Sequence, residues 1–577
     1  MNATQVLDQF DRICDAPDAI PRLRRFILDL AVRGKLVEQD PNDEPVSELL
    51  RRIEEEKTRL IQAGEIKKIE IYEAVKEDEI PFIIPVGWKI VRMGWLARKL
   101  GAGSTPLGGK LVYQGTGVPF LRSQNVHDDG LRLDDVAFIS HAIHDRMSGT
   151  HVHQHDLLLN ITGASIGRCA LVPSNFVEGN VSQHVAIIRL FDPGIREFIH
   201  LSLTAPFFQN MIDKVQVGVS REGLSMQRLR LFPMLLPPFE EQQRIVAKVD
   251  ELMALCDRLE AAQGERESRR NRLAVASLHR LNNGADVDEF RDHARFHLRH
   301  LPRITTQPEH IQQLRQTILN LAVRGKLVPQ EAKDEPACEL LNRIQAEKVR
   351  LEKDGGIKKP QPFPLITFEA LRFKIPVGWT WVRLQQLLQA NREISYGVIK
   401  LGLEPKIGGI HTLRCSDVKP RSFDLTNVRR VSEEIEQNYS RTRLVGGEIL
   451  LNIRGTLGGV ALVPPNLKGY NVAREIAVIP IHSELCGPYL VNVMASPYFW
   501  QATLEGLRGI AYKGLNLNAL RLFEIPLPPL AEQHRIVAEV DKLMALCDRL
   551  EVQLNENQTE SRRLLEAVLN EALNGVH

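Results

Sequence analysis

Nothing in this 577-residue sequence approaches the ~20 consecutive apolar residues of a membrane-spanning helix, so no span is expected. The opening MNATQVLDQFDRIC has neither the basic nor the apolar block of a secretion signal. Cysteine is sparse: seven residues, at 14, 169, 256, 338, 415, 486 and 547, with no Cys-x-x-Cys pair. That argues against a zinc ribbon or a disulfide framework and suits a reducing cytoplasm, the location expected. No charge sign dominates: 74 basic against 72 acidic residues leave +2, so any nucleic-acid footprint must be local. Compositional bias is also missing. With 43% hydrophobic and 25% charged residues the chain is globular, and low complexity, collagen and wholesale disorder are excluded. The length predicts three or four domains of ~100–200 residues.

Catalytic signatures are missing too. Gly103 to Gly109-Lys110 is a near miss to a phosphate loop, but lacks the Gly-x4-Gly-Lys register and the following Ser or Thr. Leu236-Pro237-Pro238-Phe239 resembles an adenine-methyltransferase motif without the Asn that would hold the target amino group. No glycine fingerprint for a nucleotide follows a strand and opens a helix. His151, His153 and His155 alternate as on a strand, and His293, His297 and His300 fall on one helical face. Neither set has Cys or carboxylate support in both copies of the repeat described next, so no metal site is expected. No catalytic residue is assigned.

What is present is one sequence written twice. LAVRGKLV occurs at 30–37 and 321–328, IPVGW at 84 and 375, and LPP at 236 and 527, each 291 residues apart. That period is too long for a solenoid and marks a duplicated domain pair. The copies have diverged unevenly. Residues 236–260 match 527–551 at 20 of 25 positions, whereas 101–125 match 393–417 at 4 of 25. Either a common frame carries two different readers, or loops have simply drifted faster than helices. Strands in the divergent part favour the first.

The frame reads as helical. After Pro237-Pro238, Glu240 and Glu241 suit a first helical turn. Ile245, Val249, Leu252, Cys256 and Leu259 then follow at spacings of 4, 3, 4 and 3, a heptad seam. Ile536, Val540, Leu543, Cys547 and Leu550 repeat it. Helices of ~40 residues, ~60 Å, are expected. They either pair with each other as a coiled coil or pack each on its own domain. Each copy also has an N-terminal helix pair: Leu23, Phe26, Ile27 and Leu30 share one face and Gly34 is placed as a cap, with Leu314, Ile318, Leu321 and Gly325 as counterparts. The charged stretch from Gly64 to Pro81 reads as a solvated connector, and residues 283–309 as a second connector joining the two copies.

From Trp88 to about Pro237, short apolar runs broken by Gly, Asn and Asp read as strands and turns, followed by one helical stretch, IREFIHLSLTAPFFQNMIDKV. Each reader is thus a mixed α/β domain of roughly 150 residues. Candidate DNA contacts sit at its tips. Arg122, Ser123, Gln124 and Asn125 follow a strand in copy one, and Arg414, Ser416 and Asp417 do so in copy two. Arg suits guanine and Asn or Gln suits adenine because their forks match the base edges. Thr162 and Ser165 lie in a glycine turn, as do Arg454 and Thr456, where bare amides can meet phosphates. Ser220, Arg221, Lys513 and Asn516 lie in polar loops before the last strand. For any one of them, a solvated polar group is the plain alternative.

These residues carry a resemblance. LPPFEEQQRIVAKVDELM, LPPLAEQHRIVAEVDKLM, LAVRGKLV and the PVGW entries at Pro85 and Pro376 resemble the conserved blocks of specificity (S) subunits of Type I restriction-modification enzymes. GAGSTP and ISYGVIK are similar to two variants of that family's first reader loop. The likeness covers nearly the whole chain. It implies an α+β fold of two mixed α/β target-recognition domains joined by two long antiparallel helices, with a pseudo-twofold internal repeat. The expected parts are a helical region at 1–80, a first target-recognition domain at 81–238 and a long helix at 239–282. A connector at 283–309, a helical region at 310–371, a second target-recognition domain at 372–529 and a second long helix at 530–577 complete the chain. The family's helix pair here precedes the first reader, where some members begin at PVGW, and the family pattern does not require the connector.

The resemblance further implies a non-catalytic chain that reads one half of a bipartite, asymmetric double-stranded DNA site with each reader. Its helices would dock two methyltransferase (M) subunits, which motor-nuclease (R) subunits then join. The chain itself would hold no cofactor; S-adenosylmethionine, ATP and Mg would sit on the partners. Isolated, it is expected to bind DNA weakly and to dissolve poorly. Three alternatives stay open on the residues alone: a methylation-only complex, a chain that itself cuts or methylates DNA, and an assembly scaffold that reads no DNA.

Overall fold

The computed structural model describes residues 16, 18–66, 71–216, 223–283, 287–355, 364, 366, 371–505 and 514–574. The chain divides into two compact units, residues 1–266 with 557–577, and residues 267–556. The division falls inside both long helices, Phe239–Asn283 and Leu530–Asn574, each of 45 residues. Each unit is therefore built from one copy's reader and helix pair plus the far end of the other copy's long helix.

In unit 1, helices Ala19–Val32 and Val46–Gln62 precede the reader. Strand Lys89–Arg92 enters it and pairs antiparallel with the exit strand Pro233–Leu236. Between them lies a four-stranded sheet in the order Ala97–Ala102, Val185–Leu190, Leu157–Asn160, Cys169–Leu171. A three-stranded sheet, Ala137–Ile139, Val118–Leu121, Asn180–Val181, has its second pair parallel. Unit 2 repeats this. Thr380–Arg383 pairs with Glu524–Leu527. Its sheets run Ser395–Tyr396, Ile476–Ile479, Ile449–Asn452, Val460–Leu462 and Arg429–Val431, Ile410–Leu413, Asn471–Val472. The mixed α/β reader is thus present twice with one topology.

The repeated sequence blocks prove to be one another's partners. Gly34 has φ +66°, and a Cβ on it would stand 2.3 Å from Pro85 Cγ; at Gly325, φ +67°, the corresponding approach to Pro376 Cγ is 2.4 Å. Only glycine permits both the turn and the close approach, so LAVRGKLV seats PVGW. The Trp88 indole then donates to Glu241 (3.0 Å) and Trp379 to Glu532 (2.9 Å), in the first turns of the long helices. Burial raises both carboxyls above their ordinary range, and the indole bonds oppose the shift. Arg244 and Arg535 clamp Asp43 and Asp334 (2.6 and 2.7 Å).

Three expectations are corrected. The single helical stretch in the first reader is two helices, Arg196–Thr204 and Pro206–Gln216. Pro206 withholds an N–H and forces Ala205 to extended backbone, φ −70°, ψ 148°. The connector before the first reader is not wholly solvated. Buried Arg92 binds Glu79 (2.6 and 2.8 Å) and the carbonyls of Glu73 (3.2 Å), Ala74 (3.1 Å) and Leu231 (2.6 Å), stapling that segment to the entry strand. The connector between the copies carries an amphipathic helix, Val287–Ile304, whose His297 meets Ser277 Oγ at 2.9 Å.

The heptad seams bury their residues in their own units. Ile245, Val249, Leu252 and Cys256, with Leu259 at the margin, share a core with Leu23, Ile27 and Leu30. Ile536, Val540 and Cys547, with Leu543 and Leu550 at the margin, share one with Ile311, Ile318 and Ala322. Helix Ala19–Val32 supplies the cover in unit 1: Arg24 pairs with Asp257 and Glu260, both at 2.7 Å. Helix Pro308–Val323 does so in unit 2, where Arg315 pairs with Asp548 (2.5 Å) and Glu551 (2.9 Å). The 4-3 spacing reports an apolar face, and here a shorter helix fills it.

Candidate nucleic-acid interface

Strand Val118–Leu121 ends at Arg122 and turns through Ser123–Asn125; strand Ile410–Leu413 ends at Arg414 and turns through 415–417. Asn125, 1% exposed, accepts from the Arg122 amide (3.0 Å) and donates to Arg132 O (2.9 Å). Asp417, 4% exposed, accepts from the Arg414 amide (2.8 Å) and from Ser416 Oγ (2.7 Å). These two candidates are thereby assigned to closing the turn; a base would have to displace bonds already made. The guanidinium of Arg122 donates to Asp135 O (3.1 Å) and that of Arg414 to Asn427 O (2.7 Å), each thirteen residues onward. On this shared scaffold, Gln124 and Ser416 point outward.

A second segment is tied to the first. Asn160, at the end of strand Leu157–Asn160, donates to Ser123 O (2.9 Å) and Ser165 Oγ (3.1 Å). Asn452 donates to Cys415 O (2.8 Å) and Thr456 O (3.1 Å). Both are buried, and each pins a glycine turn holding Thr162 and Ser165, or Arg454 and Thr456, against the tip. Thr162 Oγ1 meets His184 Nδ1 at 2.6 Å. The third segment joins by backbone: Leu224 N donates to Ile161 O and Leu515 N to Ile453 O, both at 2.8 Å, and Arg454 bridges to Gly514.

Three stretches far apart in sequence thus form one end of each reader. Ser220, Arg221 and Lys513 lie outside the described residues. Asn516 caps helix Leu517–Arg521 by accepting from Asn518 N (2.9 Å), so its side chain is occupied locally. Asn160 and Asn452 were not singled out above, although LLN recurring at both strand ends was a visible signal.

Among the described residues, no group of three or more His, Cys, Asp or Glu could hold a metal ion. His144 and His151 instead stack at 3.8 Å, and His293 lies 3.4 Å from Glu289 on its own helix. Cys256 and Cys547 are packed away from solvent, and burial raises both thiols. No described helix is long and apolar enough to cross a membrane.

The model of the Type I restriction modification DNA specificity domain matches residues 85–266 and again 376–558. The chain belongs to this family. Each matched stretch opens at the proline of PVGW and takes in a reader and the first part of its long helix. The chain is 28% identical to the Type I restriction enzyme EcoEI specificity subunit of Escherichia coli, over 96% of this chain and 94% of that one. It is 27% identical to the EcoAI specificity subunit of the same organism, with the same coverage. A solved relative, the HsdS subunit from Thermoanaerobacter tengcongensis, aligns with 86% of this chain and 98% of its own at 19% identity and a TM-score of 0.42. This member of the family is a non-catalytic DNA-recognition chain with two specificity domains.

Proposed function

We propose that each specificity domain takes one half of a bipartite, asymmetric duplex site through the end built from its tip, its glycine turn and the loop before its exit strand. One observation carries this: the two ends share their hydrogen-bonded scaffold, Asn160 with Asn125 and Asn452 with Asp417, and differ in the side chains they expose. A common scaffold with different outward residues is what two half-sites of different sequence require. The long helices, at 45 residues each and with their 4-3 seams filled by shorter helices, would pair antiparallel along their other faces as a spacer that fixes the half-site separation. The same helices would dock two methyltransferase subunits, which carry S-adenosylmethionine, while motor-nuclease subunits bring ATP and Mg. The complex would work in the cytoplasm, where its DNA is. A methylation-only complex would use the same chain unchanged.

The test is a genome-wide map of N6-methyladenine in the host with and without this gene. Loss of one split, asymmetric motif is expected. Replacing residues 88–237 with another reader should then alter one half of the motif only. An unchanged map in the deletion strain, with the partners expressed, would defeat the reading.

A further inference from the structure

The three-stranded sheets of the two readers are equivalent in register. Phe120 faces Asn180 and Ala137 in one, and Thr412 faces Asn471 and Arg429 in the other. One residue along each strand, the same backbone places carry Pro119, Phe138 and Gly179 in the first reader but His411, Arg430 and Tyr470 in the second. In the first reader the place is filled: a Cβ at Gly179 would stand 2.7 Å from Phe176 Cζ and 3.2 Å from Pro119 O. In the second it is open. The rings of His411 and Tyr470 stack at 4.8 Å and 17° along a cleft of about 630 Å³, also lined by Glu404, Arg414, Asn427 and Arg429.

The charged groups of this cleft are anchored by backbone, with Arg414 also reaching the Asp417 carboxylate (3.4 Å) and Arg429 and Glu404 forming only a loose ion pair. Arg429 Nη2 donates to Gly402 O (2.7 Å), and Arg414 Nη2 donates to Asn427 O (2.7 Å). Glu404 Oε1 accepts from the Arg430 amide (2.9 Å). Arg429 Nε and Glu404 Oε2 stand 4.0 Å apart, beyond hydrogen-bonding length, with the side chains 33% and 50% exposed. A guanidinium donor and a carboxylate acceptor are thus fixed side by side, lining an open polar cleft that adjoins the Arg414 tip.

We propose that Arg429 and Glu404 read one G·C base pair in the half-site of the second reader, Arg429 donating to guanine and Glu404 accepting from the cytosine amino group. The major-groove edge of that pair offers an acceptor and a donor side by side, the complement of this arrangement. Arg429 is replaced by Ala137 in the first reader, so the two half-sites differ at this position. The inference rests on the DNA-reading function proposed above.

The test selects binding sites from random duplex DNA with the full chain in complex with its methyltransferase partner, comparing wild type with R429Q and E404Q. Both variants are expected to lose discrimination roughly ten- to a hundredfold at the same single G·C position of one half-site, leaving the other half intact. A loss of affinity uniform across sequences, with a shallower salt dependence, would make Arg429 a phosphate contact and overturn the proposal. So would an unchanged motif with E404Q, whose amide oxygen still accepts the Arg430 amide and keeps the loop folded. A wild-type complex that selects no split motif would instead bring down the DNA-reading function itself, before any variant is compared.

Discussion

Arg92 and Arg383 hold the entry strands of the two readers to equivalent backbone carbonyls, although their carboxylate partners differ, Glu79 for one and Glu524 for the other, whereas at the reader tips Gln124 and Ser416 share a backbone and nothing else. Arg92 reaches the carbonyls of Glu73 and Leu231, and Arg383 the carbonyls of Pro364 and Leu522, residues 291 apart in each case. A buried guanidinium must have its donors met wherever it stands, so its carbonyl partners recur and each copy still supplies a carboxylate, from a different element. An outward-facing side chain at a turn owes nothing to the interior, so Gln can stand where Ser stands in the other copy. The division between frame and tip is a division between groups that have lost water and groups that have kept it.

The strongest way to break this comparison is to empty both frame positions. Arg92→Ala and Arg383→Ala should each destabilise their own unit by about 3–5 kcal/mol, because both remove a buried cation from several acceptors. Denaturant melts followed by hydrogen exchange would show it, and a loss at only one of the two would mean the frames are not equivalent.

Lys57 and Lys348 sharpen the comparison next. They stand 291 residues apart, and burial lowers both to about 8 from 10.5. Their surroundings differ: the Lys57 ammonium lies 3.2 Å from the Trp95 ring centroid, whereas Lys348 donates to Gln386 O at 2.8 Å. A folded value below the unfolded one means the charged form is disfavoured in the native state. Stability should therefore rise as pH climbs from about 8 to 10.5, and hold level above that. Lys57→Met should flatten the rise in unit 1, an effect of about 1–3 kcal/mol for a side chain 1% exposed. Unfolding measured across that window would decide it; a rise untouched by the substitution would place its source elsewhere.

The smallest effects should separate scaffold from surface inside one tip. Asn125→Ala should cost about 1–3 kcal/mol by leaving the Arg122 amide and Arg132 carbonyl without their partner. Gln124→Ala should change stability by less than about 0.5 kcal/mol. Its Nε2 donates only to exposed Asp135 (2.7 Å), so its effect should appear in sequence preference. Equal destabilisation by both would erase the distinction.

The duplication, the α/β readers and the long helices were legible in the sequence because packing constrains them over many residues at once. Direction was not. Heptad spacing marked Ile245 to Leu259 as an apolar face, but a face has no label for what covers it, and a four-turn helix can serve as well as a forty-residue partner. Asn125 and Gln124 look alike as polar residues after a strand, and only the fold turns one inward. Arg92 lay unremarked in KIVR, since its acceptors are carbonyls far along the chain. Asn160 and Asn452 were readable in retrospect, as the same amide at the same strand end in otherwise divergent stretches.

The last helix has one consequence for damage. Leu565, Val568, Leu569 and Ala572 belong to the core beneath the first reader, where Arg22 pairs with Glu566 at 2.6 Å and Lys35 donates to Leu573 O at 2.7 Å. A chain cut after residue 556 would therefore be struck at a distance: the second unit, which reaches that point, is spared, and the first is undermined, because its interior is completed only once residues 565–572 have been made.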